Sequence, residues 1–325
     1  MMSLYQLFKA KGPSGFGYAT TAEQVTEGLS LAGKTMLVTG CNSGLGLETM
    51  RVLALRGAQV VGTARTMEKA REAGATVTGN TVPMACELAD PASVRQCVAA
   101  VEAAGIRLDA VICNAGIMAC PKGKTADGFE TQFGTNHLGH FVLMNRIASL
   151  LHKGSRLVNL SSAGHRFSDV DLDDPNFEHT PYNEFGAYGR SKTANILFAV
   201  EFDRRHKGEG IRATAVHPGG IQTELGRHMT PELIQQMIKN IEEANKAANL
   251  PPFEWKTIPQ GAATTVWSGF VARADDVGGK YCEDCHVAEL VDNAQARGGI
   301  RRYALDPERA KALWAKSEEM AGERF

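Results

Sequence analysis

The stretch from Thr35 to Gly57 constrains the fold more than any other part of the chain. A short apolar run, Thr35-Met36-Leu37-Val38, ends in Thr39-Gly40-Cys41-Asn42-Ser43-Gly44-Leu45-Gly46, and apolar residues then recur at Leu45, Met50, Leu53 and Ala54 until Gly57. That order reads as strand, glycine loop, helix and cap. Glycines spaced G-x-x-x-G-x-G let backbones approach closely, and a helix opening there turns free N–H groups and its positive dipole end towards an anion such as a pyrophosphate.

The same alternation continues downstream. Gln59–Thr63 reads as a second strand and Thr81–Cys86 as a weaker third, where Pro83 argues against a central place in a sheet. Asp90-Pro91 is a helix N-cap followed by proline at the first helical position. Leu108–Cys113, Arg156–Leu160 and Ile211–Val216 read as further strands, with helices expected over Gly139–Leu151 and Ser191–Arg205. Near-continuous apolar strands alternating with helices point to an α/β fold, a single Rossmann-type doubly wound parallel sheet flanked by helices on both faces, spanning 33–325. Gly278–Cys282 reads as a last strand, and Asp306-Pro307-Glu308 opens a final helix to about Met320.

Two segments fall outside this rhythm. Residues 1–32 read as an N-terminal extension packed on the domain, with a short helix signal over Thr21–Val25 and Thr20 or Thr21 as cap. Residues 224–260 carry Met229, Leu233, Met237, Ile238, Ile241, Phe253 and Trp255, with breaks at Pro231 and Pro251-Pro252. Periodicity allows either a substrate-binding flap or an ordinary surface helix with one buried face.

Composition narrows the function. At 325 residues and 43% hydrophobic, the chain can bury one large core. A net charge of -1 with mixed signs offers no field for nucleic acid or an anionic membrane, so a small-molecule partner is expected. The 7 cysteines, an odd number set mostly in apolar runs, suit reduced thiols in a cytoplasmic protein. No stretch suits an integral membrane segment, and Met1–Lys9 lacks a signal-peptide core. Cys282-x-x-Cys285-His286 lacks a partner pair, so no metal site is expected.

The end of the second strand, Thr63-Ala64-Arg65, selects among nucleotides. An acidic residue there would bind the ribose hydroxyls of NAD; Ala64 cannot, whereas Arg65 offers a planar fork for a 2′-phosphate. The expected cofactor is NADP(H).

From Leu31 to about Tyr281 the chain resembles the short-chain dehydrogenase/reductase family. The likeness rests on ordered motifs: the glycine loop, Asn114-Ala115-Gly116, Asn136 in Asn-His-Leu-Gly-His, Ser161-Ser162, Tyr188 with Lys192, and His217-Pro218-Gly219 through Thr223. Within the family it is similar to the retinol-dehydrogenase-like and protochlorophyllide-reductase-like branch, through Ser14-Gly15-Phe16-Gly17 with Thr21–Thr26, Val52–Ala58 and the long interval between Ser162 and Tyr188.

The resemblance implies an enzyme, an NADP(H)-dependent oxidoreductase moving a hydride between nicotinamide and a bulky, apolar alcohol or carbonyl substrate. It implies Tyr188 as general acid/base, Lys192 lowering the tyrosine pKa and holding the ribose, Ser162 bonding the substrate oxygen, with Ser161 the neighbouring choice, and Asn136 holding a relay water. It also implies cofactor contacts from Gly40, Asn42, Ser43, Gly44, Leu45, Gly46, Glu87, Leu88, Asn114, Ala115, Gly116, Pro218, Gly219 and Thr223, though Thr223 could equally cap a helix. Phe167, Asp171, Phe177, Tyr182 and Phe185 would either line the substrate pocket or anchor their own loop. The helices around 139–151 and after Tyr188 resemble a four-helix dimer interface, which implies a homodimer or homotetramer, with a monomer as the alternative. An NADP(H)-binding regulatory or scaffold protein is the competing reading.

Overall fold

The computed structural model describes residues 11–247, 251–293 and 298–325; residues 1–10 of the expected extension and 248–250 of the expected flap lie outside them. Eight strands form one sheet: β1 (Thr35–Thr39), β2 (Gln59–Ala64), β3 (Asn80–Ala85), β4 (Leu108–Cys113), β5 (Leu151–Leu160), β6 (Arg212–His217), β7 (Tyr281–Glu283) and β8 (His286–Val287). Their order is β3-β2-β1-β4-β5-β6-β7-β8, with every pairing parallel except β7 with β8. The order reverses between β1 and β4, and the carboxyl ends of those two strands open a crevice where α/β sheets receive ligands.

Helices cover both faces. The helical elements before the crevice are α1 (Ala22–Val25), α2 (Gly44–Leu55), α3 (Met67–Ala75) and α4 (Pro91–Ala103). Beyond it come α5 (Thr131–Phe133), α6 (Gly139–Ile147), α7 (Glu184–His206) and α8 (Pro231–Ala247), then the short α9 (Ile258–Gly261), α10 (Ala263–Val266) and α11 (Ala274–Val277), and finally α12 (Pro307–Ala321). Strand residues alternate between two cores, as the pleat requires. Met36, Val38, Ala110 and Ile112 pack towards α1, α2 and α10, whereas Leu37, Val111 and Cys113 pack towards α4, α6 and α7. Ala22, Val25 and Leu31 are buried in the first of these cores, so the described part of the N-terminal segment lies on the domain. Thr21 caps α1, with Gln24 completing a capping box.

Several boundaries differ from the sequence reading. Pro83 lies in β3, which pairs with β2 alone and forms one margin of the sheet, where a missing N–H is tolerated. The helix expected to reach Leu151 ends at Ile147 and a 3-10 turn, and Leu151 already begins β5, with an irregular register against β4. α7 starts at Glu184, seven residues before the expected Ser191, because Asn183 caps it by accepting from the Gly186 N–H. Glycines and polar residues on its first turns hid this start. The last strand begins at Tyr281 rather than Gly278, and α3 and β8 had no sequence signal strong enough to register.

The final helix occupies a particular place. Trp314 packs edge-on to Phe141 of α6 at 5.1 Å between ring centroids, Phe325 meets the same ring at 5.6 Å, and Arg205 of α7 lies over Trp314 at 3.9 Å. Ala310 and Leu313 join Leu197 and Ala194 of α7 in a third apolar cluster. Glu323 pairs with both Arg95 and Arg146. Of the five apolar positions considered for a dimer interface, Leu143, Ile147 and Ile196 face the sheet core, while Leu197 and Val200 pack in the α12 cluster.

Candidate active site

The carboxyl ends of β1, β4, β5 and β6 bring the expected residues together. After β1, Gly40 (φ 71) turns the chain so closely past β4 that a methyl group there would lie 2.9 Å from Ala115 Cα. Gly46 is tighter: a methyl would stand 2.2 Å from the Gly40 carbonyl oxygen and 2.5 Å from Asn114 Nδ2. Asn114 donates from that amide to the Thr39 carbonyl at 2.8 Å, while the Thr39 hydroxyl oxygen accepts from the N–H groups of Asn114 and Ala115 at 2.9 and 3.0 Å. Asn114-Ala115-Gly116 therefore braces the glycine loop from behind.

α2 opens at Gly44 with Ser43 as N-cap, and the Ser43 side chain makes no capping hydrogen bond. Its first N–H groups face the crevice with the helix dipole behind them, a fit for a pyrophosphate. Asn42 is exposed beside them. The segment after β6 arches over this loop: the Thr223 methyl lies 3.4 Å from where a Gly44 Cβ would be, and Leu45 and Ile221 both press on Gly261. Thr223 also caps the turn Glu224–Gly226 by accepting from the Leu225 N–H. Arg65 follows directly on β2, exposed at the strand's carboxyl end. Glu87 accepts from the Ala89 N–H through one carboxylate oxygen at 3.0 Å, and the Leu88 side chain is buried in the core.

The chemistry-bearing side chains meet on the α7 side. Tyr188 is 3% exposed, its phenol hydrogen-bonds Ser162, and Gly164 lies flat on its ring. Ser162, not Ser161, is the serine in contact; the Ser161 hydroxyl donates to the Lys192 carbonyl at 2.7 Å. The Lys192 ammonium lies 5.6 Å from the Tyr188 ring centroid and donates to the Leu160 carbonyl. Gly116 keeps the space beside it open, since a methyl there would come 3.5 Å from that nitrogen and 3.2 Å from Asn136 Oδ1. Burial pushes the Tyr188 phenol up to about 12 despite the Ser162 hydrogen bond, and pulls Lys192 down to about 8. Desolvation is thus the larger influence on the Tyr188 phenol among the chain's own groups, and the Ser162 hydrogen bond opposes it.

Asn136 sits in a single π-helical turn, Gly134–Leu138, joining α5 to α6. Its amide donates to the Ile117 carbonyl and to Ser191 Oγ, each at 2.9 Å, and its Oδ1 accepts from the Ile117 N–H. The wider turn leaves its carbonyl to accept from His140 Nδ1 at 3.0 Å. His140 Nε2 in turn bonds the Thr39 hydroxyl at 2.9 Å, and burial holds this imidazole down at about 4, hence neutral. One hydrogen-bonded chain thus joins the glycine loop to Asn136. Sequence reasoning missed His140, although its spacing four residues after Asn136 on a helix was a usable signal.

Behind Ser162, His165 Nδ1 donates to the Ser162 carbonyl at 2.8 Å, and His217 Nδ1 accepts from the Ala163 N–H at 3.2 Å. Within the interval 163–187, several of the side chains considered anchor their own loop. Phe177 is buried beneath Arg190 at 3.7 Å, Tyr182 bonds the Cys120 carbonyl at 2.9 Å, and Asp171 accepts from the Asp174 N–H at 3.1 Å, all loop anchors. Phe167, 58% exposed and edge-on to Phe185, remains outside that anchoring. Cys282 and Cys285 are buried, and among the described residues no group of three or more His, Cys, Asp or Glu could hold a metal ion.

The family profile described as short chain dehydrogenase matches residues 34–233. The chain belongs to the short-chain dehydrogenase/reductase family. Human retinol dehydrogenase 13 is 36% identical over 304 residues, covering 90% of this chain and 86% of that protein. Among solved structures, an uncharacterised Mycobacterium paratuberculosis protein is 33% identical, with TM-score 0.70 over 91% of this chain and 96% of its own. A Burkholderia cenocepacia short chain dehydrogenase in complex with NADP shares the fold, with TM-score 0.60 at 24% identity over 79% of this chain and 98% of its own. The protein is accordingly an oxidoreductase of the retinol-dehydrogenase-like branch that acts on a small molecule. No helix among the described residues is long and apolar enough to cross a membrane.

Proposed function

We propose that this short-chain dehydrogenase/reductase interconverts an alcohol and a carbonyl on a bulky, apolar substrate with NADP(H). The observation that carries the reading is the buried contact of Tyr188 with Ser162, with Lys192 and Asn136 packed beside Gly116 at the mouth of the glycine loop. The NADP(H) of this reading would be held by the glycine loop and the α2 N-terminus at the pyrophosphate, Arg65 at the 2′-phosphate, Lys192 at the nicotinamide ribose and the 218–223 segment at the nicotinamide. When bound, it supplies or accepts the hydride at the substrate carbon.

The chain's own residues handle the oxygen. Tyr188 donates its phenolic proton to the carbonyl oxygen in reduction and takes it back in oxidation, and Ser162 shares the developing charge. A phenol held up to about 12 stays protonated across the physiological range, which favours the acid role and hence reduction. Lys192, charged below about 8, offsets the negative charge that Tyr188 takes on as its proton leaves. Phe167 beside Phe185, and the half-buried Ile234, Met237, Ile238 and Ile241 of α8, supply partly exposed apolar surface, which supports the bulky substrate class.

A screen of aldehydes, ketones, enones and alcohols with NADPH and NADH, followed at 340 nm, tests the reading. Turnover with carbonyls and NADPH is expected; absence of turnover with every class sinks it. Because α12 already packs on α6 and α7, we infer that this face does not pair two copies. Light scattering is expected to give the mass of a single chain, and a dimer mass that persists on dilution overturns that inference.

A further inference from the structure

Lys256 has no part in the chemistry described above, yet its side chain is 1% exposed, and its ammonium pairs with Asp284 at 2.5 Å, itself 10% exposed. Lysine is seldom buried so fully, and desolvating both charges makes such a pair weak as a source of stability. Its surroundings suggest another purpose.

Asp284 and Cys285 form the tip of the β7–β8 hairpin with φ of 47° and 61°, left-handed values that ordinarily fall to glycine or asparagine. Thr264 of α10 secures this tip by accepting from the Cys285 N–H at 3.2 Å. On the other side, the Lys256 stem lies against Gly219, where a methyl group would come 2.6 Å from Cδ. The Lys256 N–H donates to the Gly220 carbonyl at 2.9 Å, and Ile221 and Lys256 form an isolated parallel bridge. The Tyr18 ring faces the ammonium at 4.5 Å, and its hydroxyl donates to the Glu254 carbonyl at 2.7 Å. Gln260 adds a bond to the Ala19 carbonyl at 3.1 Å. One ammonium therefore joins the hairpin, the segment after β6, the downstream root of the α8 segment and the N-terminal segment.

We propose that the Lys256–Asp284 pair is a latch that positions the 218–223 segment over the glycine loop and anchors the α8 segment at its root, thereby setting NADP(H) affinity. Apolar packing would let these backbones slide; a buried pair is satisfied in one geometry only. Gly219 must be glycine for the segment to rest on the lysine stem, and its φ of 110° agrees. The inference rests on reading 218–223 as the nicotinamide side of the site. It makes Lys256 and Asp284 positioning residues, remote from the reacting atoms.

The test compares Lys256→Met, Asp284→Asn and the double variant by thermal unfolding, by NADPH fluorescence titration and by limited proteolysis within 224–255 in the absence of cofactor. Each single variant strands a buried polar partner and is expected to lower Tm; the double variant is expected to regain most of that loss. It should nonetheless bind NADPH about tenfold or more weakly and be cleaved faster than the wild type, with KM for NADPH rising more than kcat falls. A double variant with wild-type NADPH affinity and wild-type cleavage overturns the proposal, since a merely structural pair would behave so. Should these variants fail to fold, Tyr18→Leu strands no charge and is expected to shift affinity and cleavage the same way, by about threefold; no shift in either overturns the latch. A wild-type protein that does not bind NADPH refutes the cofactor reading instead, and cleavage without cofactor still decides whether the latch exists.

Discussion

The Lys192 ammonium donates to the main-chain carbonyl of Leu160 at 3.0 Å, a neutral partner for a charge only 4% exposed. Burial pulls its pKa from 10.5 to about 8. Between those values the unfolded chain binds a proton that the folded chain has released, so this residue makes stability rise with pH from about 8 towards 10.5, and its cost is fully present below 8. Lys192→Met is expected to gain roughly 1–3 kcal/mol at pH 7, with the gain shrinking at pH 10, while turnover falls at least ~10²-fold. Calorimetry at both pH values and steady-state rates check this. In the wild type, carbonyl reduction should decline as pH rises through about 8, where the cation is lost.

Tyr188→Phe keeps the buried ring against Gly164 but removes the proton donor that meets Ser162. Turnover is expected to fall on the order of 10²–10⁴-fold, with NADPH affinity within about threefold of wild type. Retained turnover in single-turnover mixing would remove Tyr188 from the acid role.

Arg65→Ala tests the choice of nucleotide. A charge-assisted bond to the 2′-phosphate contributes roughly 1.5–3 kcal/mol, so NADPH binding should weaken about tenfold to a hundredfold, and NADH binding should barely change. Equal losses for the two cofactors would exclude Arg65 as the selector.

Gly46→Ala places a methyl group 2.2 Å from the Gly40 carbonyl oxygen, against backbone that cannot give way. Loss of NADPH binding and a marked fall in Tm are expected. Gly105→Ala is the control: its φ of 64° carries strain, yet nothing lies within 4 Å of the added carbon. Its cost should stay near ~1–2 kcal/mol with NADPH affinity intact, read by denaturant titration and fluorescence.

The sheet was legible in the sequence because parallel strands buried on both faces announce themselves as continuous apolar runs, as at Leu108–Cys113. The glycine loop was legible because its spacing carries backbone geometry directly. Tyr188 and Lys192 both lie on α7, whose start at Glu184 was not legible because its first turns carry no apolar stripe. What stayed hidden depends on contacts between residues far apart in sequence: Thr39 with His140, Lys256 with Asp284, Trp314 with Phe141.

Pro83 in β3 and the two-residue β8 bear on a hazard unrelated to catalysis. A sheet of eight strands exposes two margins whose unpaired N–H and C=O groups can recruit strands from other molecules. At one margin proline withholds a donor from any incoming strand. At the other the hairpin folds back after Glu283, so the outermost strand is too short to template another. Both margins of a broad parallel sheet are thus poor templates for intermolecular β-assembly, and substitution of Pro83 by a β-branched residue would put that protection at risk.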